Sequence, residues 1–262
     1  MTRMLGFALL MAWLEVAALA SPPPKTPKPA GRGTDILHLF LRKEMVNEGL
    51  FAPAKGQVKL GLNRQGNAFN QRLDVSAANL PTNTPLALWA ATGENTNFNF
   101  VTSLTTDSKG RTGIRFMKVS SVQGFPGRGK TPLPNALHPV SDIRELALAD
   151  LRTQAVLSAE LRAPEKLQYL VKRTWSEGSA TASLRLKATT QKLKFELRGE
   201  GLAPSQNYLL ALNGTPVGSA SSHADGVVVF TNLPVSPSNI LHVRWLAIWN
   251  SASNSVLSTT LP

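Results

Sequence analysis

The 262-residue chain contains no cysteine. That excludes disulfide scaffolds, cysteine–zinc modules, iron–sulfur centres and cysteine nucleophiles. Acids are scarce: 16 Asp plus Glu stand against 28 Lys plus Arg, for a formal charge of +12. Few carboxylates are therefore available for an opposed acid pair of the glycosidase kind. The four histidines, His38, His138, His223 and His242, form neither His-x-His nor His-Glu-x-x-His. Gly-x-Ser-x-Gly, a Walker loop and Gly-x-Gly-x-x-Gly are missing as well, which removes the strongest hydrolase and nucleotide signals. The expectation is a non-enzymatic chain with no cofactor and no metal. Charged residues make up only 17% and hydrophobic residues 42%, so the chain is not globally disordered.

What is present begins with an address. Met1-Thr2-Arg3-Met4 is followed by an apolar run from Leu5 to Trp13, interrupted further on by Glu15 and ending in Ala18-Leu19-Ala20. A basic start, a short apolar centre and a small-x-small exit predict a secretory signal peptide, 1–20. The run is too short for a membrane anchor, which needs about 20 apolar residues. No later stretch is long and apolar enough to span, so no transmembrane segment is expected after cleavage. A secreted location, extracellular or periplasmic, follows, and the absence of staples fits a bacterial source.

Residues 21–34 hold Pro22, Pro23, Pro24, Pro27 and Pro29 with Lys25, Lys28 and Arg32. They read as an extended basic linker. In 35–56, Leu37, Phe40, Leu41 and Met45 recur at helical spacing, which predicts a short amphipathic helix. A strand is the alternative, because Ile36 to Leu41 is almost all apolar.

Beyond Phe51 the period becomes two. Leu193, Phe195 and Leu197 alternate with Lys192, Lys194, Glu196 and Arg198, the pattern of a strand with one wet face. Asn213-Gly214 and Asp225-Gly226 punctuate such runs, and seven short strands fit between Ser179 and Pro262. Pro139–Leu161 aligns on Asn239–Leu261 at an offset of 100, with seven identities in 23, among them Arg144/Arg244, Leu146/Leu246 and Leu157/Leu257. Asn79-Leu80-Pro81 likewise sits where Gly201-Leu202-Ala203-Pro204 does. These matches predict an all-β chain of two tandem immunoglobulin-like β-sandwich domains, 57–162 and 178–262, joined by a connector, 163–177.

Gly201-Leu202-Ala203-Pro204, Tyr208, Ala224-Asp225-Gly226-Val227-Val228-Val229-Phe230 and Asn232-Leu233-Pro234 together resemble bacterial extracellular immunoglobulin-like and prealbumin-like modules. The resemblance covers about one domain and implies a fold of modules that bind, space or present. No functional residue carries over from it.

Two candidate surfaces follow. Lys109, Arg111, Arg115, Lys118, Arg128 and Lys130 lie in a stretch with no acid between Asp107 and Asp142. They read as a basic loop attractive to an anionic polymer or polysaccharide, or as plain solvated surface. Only Phe116 and Phe125 flank them, which argues against nucleic-acid stacking. Trp245 and Trp249 share one strand face, while Leu246 and Ile248 match the first repeat's Leu146 and Leu148. The indoles are thus expected on the outer face, as a sugar or protein contact, or buried against the rest of the chain. Asp142, Glu145 and Asp150 match His242, Trp245 and Asn250 and read as strand decoration. The leading expectation is a binding or interaction module for an anionic polymer or a protein partner. The alternatives are a structural spacer in a cell-envelope assembly and a hydrolase with an unrecognised site.

Overall fold

The computed structural model describes residues 35–65, 68–93, 97–119 and 131–261. The expected signal peptide, the Pro-rich linker, Arg128 and Lys130 lie outside them. The described chain is all-β, with three short 3-10 turns and no α-helix. In the first half the strands are β1 (Ile36–Asn47), β2 (Lys55–Gln65), β3 (Ala68–Ala78), β4 (Pro85–Thr92), β5 (Asn99–Thr105), β6 (Thr112–Val119), β7 (Thr131–Pro132), β8 (Ile143–Ala149) and β9 (Ala155–Glu160). The second half holds β10 (Lys166–Glu177), β11 (Ala180–Thr189), β12 (Leu193–Glu200), β13 (Asn207–Leu212), β14 (Thr215–Ser221), β15 (Val228–Phe230), β16 (Trp245–Asn250) and β17 (Ser255–Thr260). The seven strands expected after Ser179 are all there.

Two expectations are corrected. The segment 35–56 is strand β1 and a loop, not a helix. Leu37, Leu39 and Leu41 alternate into the core, at 9%, 1% and 3% exposure, and Phe40 points to the other face. The spacing of Leu37, Leu41 and Met45 satisfies a helix and a strand equally. Backbone pairing to β2 on one side and β10 on the other decides for the strand. The supposed connector 163–177 is mostly β10, which pairs with both β1 and β11.

Each half is a pair of packed sheets. In the first half β1-β2-β3-β6 faces β5-β4-β8-β9, and in the second β10-β11-β12-β15 faces β14-β13-β16-β17. The register repeats row for row. Leu41–Leu60–Leu73–Phe116 cross four strands of the first half, and Arg173–Leu184–Leu197–Phe230 cross the four matching strands of the second. Leu148 faces Leu157 as Ile248 faces Leu257, which keeps the offset of 100 seen in the sequence.

The connecting turns repeat too. Gly110 and Gly226 have positive φ (64° and 73°), and a Cβ added there would lie 2.0 Å from the Leu80 carbonyl oxygen and 2.3 Å from that of Leu202. Only glycine allows this approach. The buried Thr106 hydroxyl donates to the Pro81 carbonyl and accepts from the Thr84 amide. The Ser222 hydroxyl does the same with Ala203 and Gln206. Asp150 Oδ1 accepts the amides of Arg152 and Gln154, as Asn250 Oδ1 accepts those of Ala252 and Asn254.

The halves meet through their first strands. β1 and β10 pair antiparallel over seven positions, with His38 facing Leu170. By the row correspondence above, His38 and Leu170 are themselves equivalent positions. A pseudo-twofold axis therefore passes through this pair, perpendicular to the sheet. Leu39 faces Tyr169 and Leu41 faces Leu167 across it, all buried. Both cores thus lie on the same side of one continuous nine-strand sheet, β15-β12-β11-β10-β1-β2-β3-β6-β7. Arg244 adds a bond between the halves, with Nη1 3.1 Å from Asp142 Oδ1 and Nη2 donating to the Ser141 carbonyl.

Candidate functional site

The wet face of the nine-strand sheet carries most of the geometry. Antiparallel pairing brings residues on one line to within about 5 Å of each other across neighbouring strands. One such line reads Lys166–Arg42–Lys59–Asp74–Arg115 over five strands. Like charges directly opposite one another destabilise a sheet, and here Lys166, Arg42 and Lys59 stand in succession. Acids offset part of the cost. Arg42 Nη2 lies 2.6 Å from Glu44 Oε1, which also accepts from Gln57. The Arg42 bond, then the Gln57 bond, hold the Glu44 carboxyl below its ordinary range. Burial works to raise the Asp74 carboxyl, but bonds from Arg72 and Arg115 outweigh it and the group is lowered. Lys59 and Lys166 have no hydrogen-bond or ion-pair partner among the described residues. In the second half Lys187 faces Lys194 in the same way.

This arrangement separates the cations expected to act as one loop. Arg115 joins the row just described. Lys118 stands opposite the buried Gln71, on the core side of the sheet at its far end. Lys109 and Arg111 belong to the β5–β6 turn, where their amides donate to Asp107 Oδ1. Those two amide bonds lower the Asp107 carboxyl, with the Arg111 bond the larger cause. Sequence reading missed Arg42, Lys59 and Lys166 because they are far apart along the chain. Strand register alone aligns them.

The second surface is the outer face of the other pair of sheets. Leu246 and Ile248 are fully buried, while Trp245 and Trp249 are half-buried and stand outside the core cluster. Their rings lie 6.1 Å apart at 52°. The expected outward orientation is the one observed. The matching positions in the first half are Glu145 and Ala149, and there the surface opens into a groove of about 420 Å³ lined by Glu48, Trp89, Phe98, Glu145, Thr153 and Ser158 above a floor of Ala147, Ala149 and Ala155. Trp89 meets Phe100 edge-on, with centroids 5.6 Å apart. Ser158 donates to the Glu48 carboxylate.

The four histidines stay apart, and no group of three His, Asp or Glu side chains fit to hold a metal occurs among the described residues. His138 Nδ1 lies 2.6 Å from Gln71 Nε2, and Gln71 Oε1 accepts from the Val140 amide. No helix among the described residues is long and apolar enough to cross a membrane. The chain matches no protein-family model and no curated protein, so the site is read from its own geometry.

Proposed function

We propose that this chain is a secreted, non-catalytic binding protein of two β-sandwich repeats, and that the wet face of its nine-strand sheet takes an anionic polymer. The observation that carries the reading is the row Lys166–Arg42–Lys59–Asp74–Arg115. A flat face with aligned, partly unpaired cations matches a repeating anion, whose bound counterions are released on contact. The fold does not require the row: the matching residues of the second half are Thr174, Ser183, Arg198 and Val229.

The test is retention on lipopolysaccharide, an acidic polysaccharide and duplex DNA across a salt series. Binding should weaken steeply with salt. Lys59→Glu with Lys166→Glu should lower the slope of log K against log salt by about 0.9 per lost contact on duplex DNA. An unchanged slope overturns the reading. A second reading, a rigid spacer in an envelope assembly, is supported by the unbroken β1–β10 pairing, which couples the two halves without a linker. A chain that binds no polyanion and holds a fixed spacing between its halves in solution scattering would favour it.

A further inference from the structure

The large hydrophobic side chains that are exposed among the described residues all belong to the first half. They are Val46 (58%), Leu50 (39%), Phe98 (38%), Phe100 (53%) and Leu151 (74%). They ring the groove between Trp89 and Glu145. Val46 pairs with Ser158, a lining residue. Phe100 contacts Trp89, and Leu151 sits in the same turn as the lining residue Thr153. A contiguous apolar ring of this kind marks an interaction site. On the second half the matching face is occupied by Trp245 and Trp249, and no comparable ring surrounds it.

Two further features describe the occupant. The lining holds two carboxylates, Glu48 and Glu145, and no Lys or Arg, in a chain of charge +12. Glu145 has no hydrogen-bond or ion-pair partner among the described residues. The Trp89 indole N–H is buried without an acceptor, a state that native proteins rarely leave unexplained. The occupant should therefore offer a cation, rigid apolar rings and a free backbone carbonyl.

Residues 21–34 of this chain offer all three. They hold five prolines with Lys25, Lys28 and Arg32, and no acid. Proline-rich segments dock in aromatic-lined grooves at low entropic cost, and their backbone carbonyls are not used internally. Length indicates which copy supplies the segment. It joins the fold at Asp35, the start of β1, whereas the groove borders the other end of β1 at Val46. Those ten strand positions cover about 33 Å. Pro29 and Pro27 are six and eight residues before Asp35, and eight residues reach about 28 Å at most. Within one molecule the Lys25–Pro29 stretch falls short of the groove, which in addition lies on the opposite sheet.

We infer that the groove lined by Trp89, Phe98, Glu48 and Glu145 binds the Pro-rich segment 21–34 of a second copy of this chain. The contact is heterologous, segment into groove, so it links copies head to tail unless two chains exchange segments. It is independent of the polyanion face.

The test uses the full chain in sedimentation equilibrium at physiological salt, with a synthetic peptide of residues 21–34 as competitor. The chain should self-associate with rising concentration, and excess peptide should return it to monomer. Peptide binding, followed by tryptophan fluorescence, should weaken roughly tenfold in Glu145→Arg, a charge reversal at a half-buried site. The outward position of Glu145 keeps this variant folded, and its thermal unfolding midpoint serves as the control. A peptide carrying serines in place of its prolines should lose binding while keeping its charge. A monomeric chain that ignores the peptide overturns the proposal. So does equal binding by the serine peptide, or a groove that takes a neutral oligosaccharide and not the peptide.

Discussion

At Glu145 and Ala149 the first half leaves a groove; at the matching Trp245 and Trp249 the second half covers the same face with two tilted indoles. Beneath both, the strand register is the same. The reverse exchange occurs one strand over, where Trp89 of the first half faces Ala147 while Ala211 of the second faces Ala247. The wet faces of the continuous sheet differ as well, with a cation row on one side and Thr174 and Ser183 at the matching positions on the other. Positions that close a turn or fill the core are held in both halves, and positions facing water have diverged. A duplicated sandwich thus carries two distinct surfaces, because outward side chains of a strand change at little cost to the packing on its other face.

The largest effects should come where the two halves are alike. Gly110→Ala and Gly226→Ala each place a Cβ against a backbone carbonyl at positive φ. Each should destabilise by about 3 kcal/mol or more in urea unfolding. A large effect at one glycine and none at the other would break the equivalence of the halves. Next come the buried hydroxyls. Thr106→Val and Ser222→Ala each leave a buried amide and carbonyl without a partner, for a loss of about 1–3 kcal/mol by the same measurement.

The smallest effect probes a difference. Asp74 is bonded to Arg72 and Arg115, and its carboxyl is lowered. A folded value below the unfolded one means that its contribution is fully present above the ordinary carboxylate range. That contribution is lost as pH falls through the depressed value. Asp74→Asn should therefore flatten the acid limb of the stability–pH curve. The matching position in the second half is Arg198, whose replacement should leave that limb unchanged.

Much of the architecture was legible in the sequence. Leu193, Phe195 and Leu197 report a half-wet strand by alternation alone, and Arg144, Leu146 and Leu157 locate their equivalents at an offset of 100. The Asp-Gly turns announced the close approach at Gly226. The first strand of each half was harder to read. Leu37, Leu41 and Met45 suit two periods, and β10 lies across what looked like a connector. Nothing local distinguishes a strand paired on both sides from a helix of the same composition.

The sequence by itself determined the all-β class, the repeat and the outward orientation of Trp245 and Trp249. Each of these is written in the period or spacing of neighbouring residues. Tertiary structure alone decided that β1 and β10 join the halves about a pseudo-twofold axis. It also decided that Lys166, Arg42, Lys59 and Arg115 form one row, and that Glu48, Trp89 and Glu145 line one groove. Those residues lie tens of positions apart, and only the hydrogen-bonded register of paired strands sets which side chains face each other.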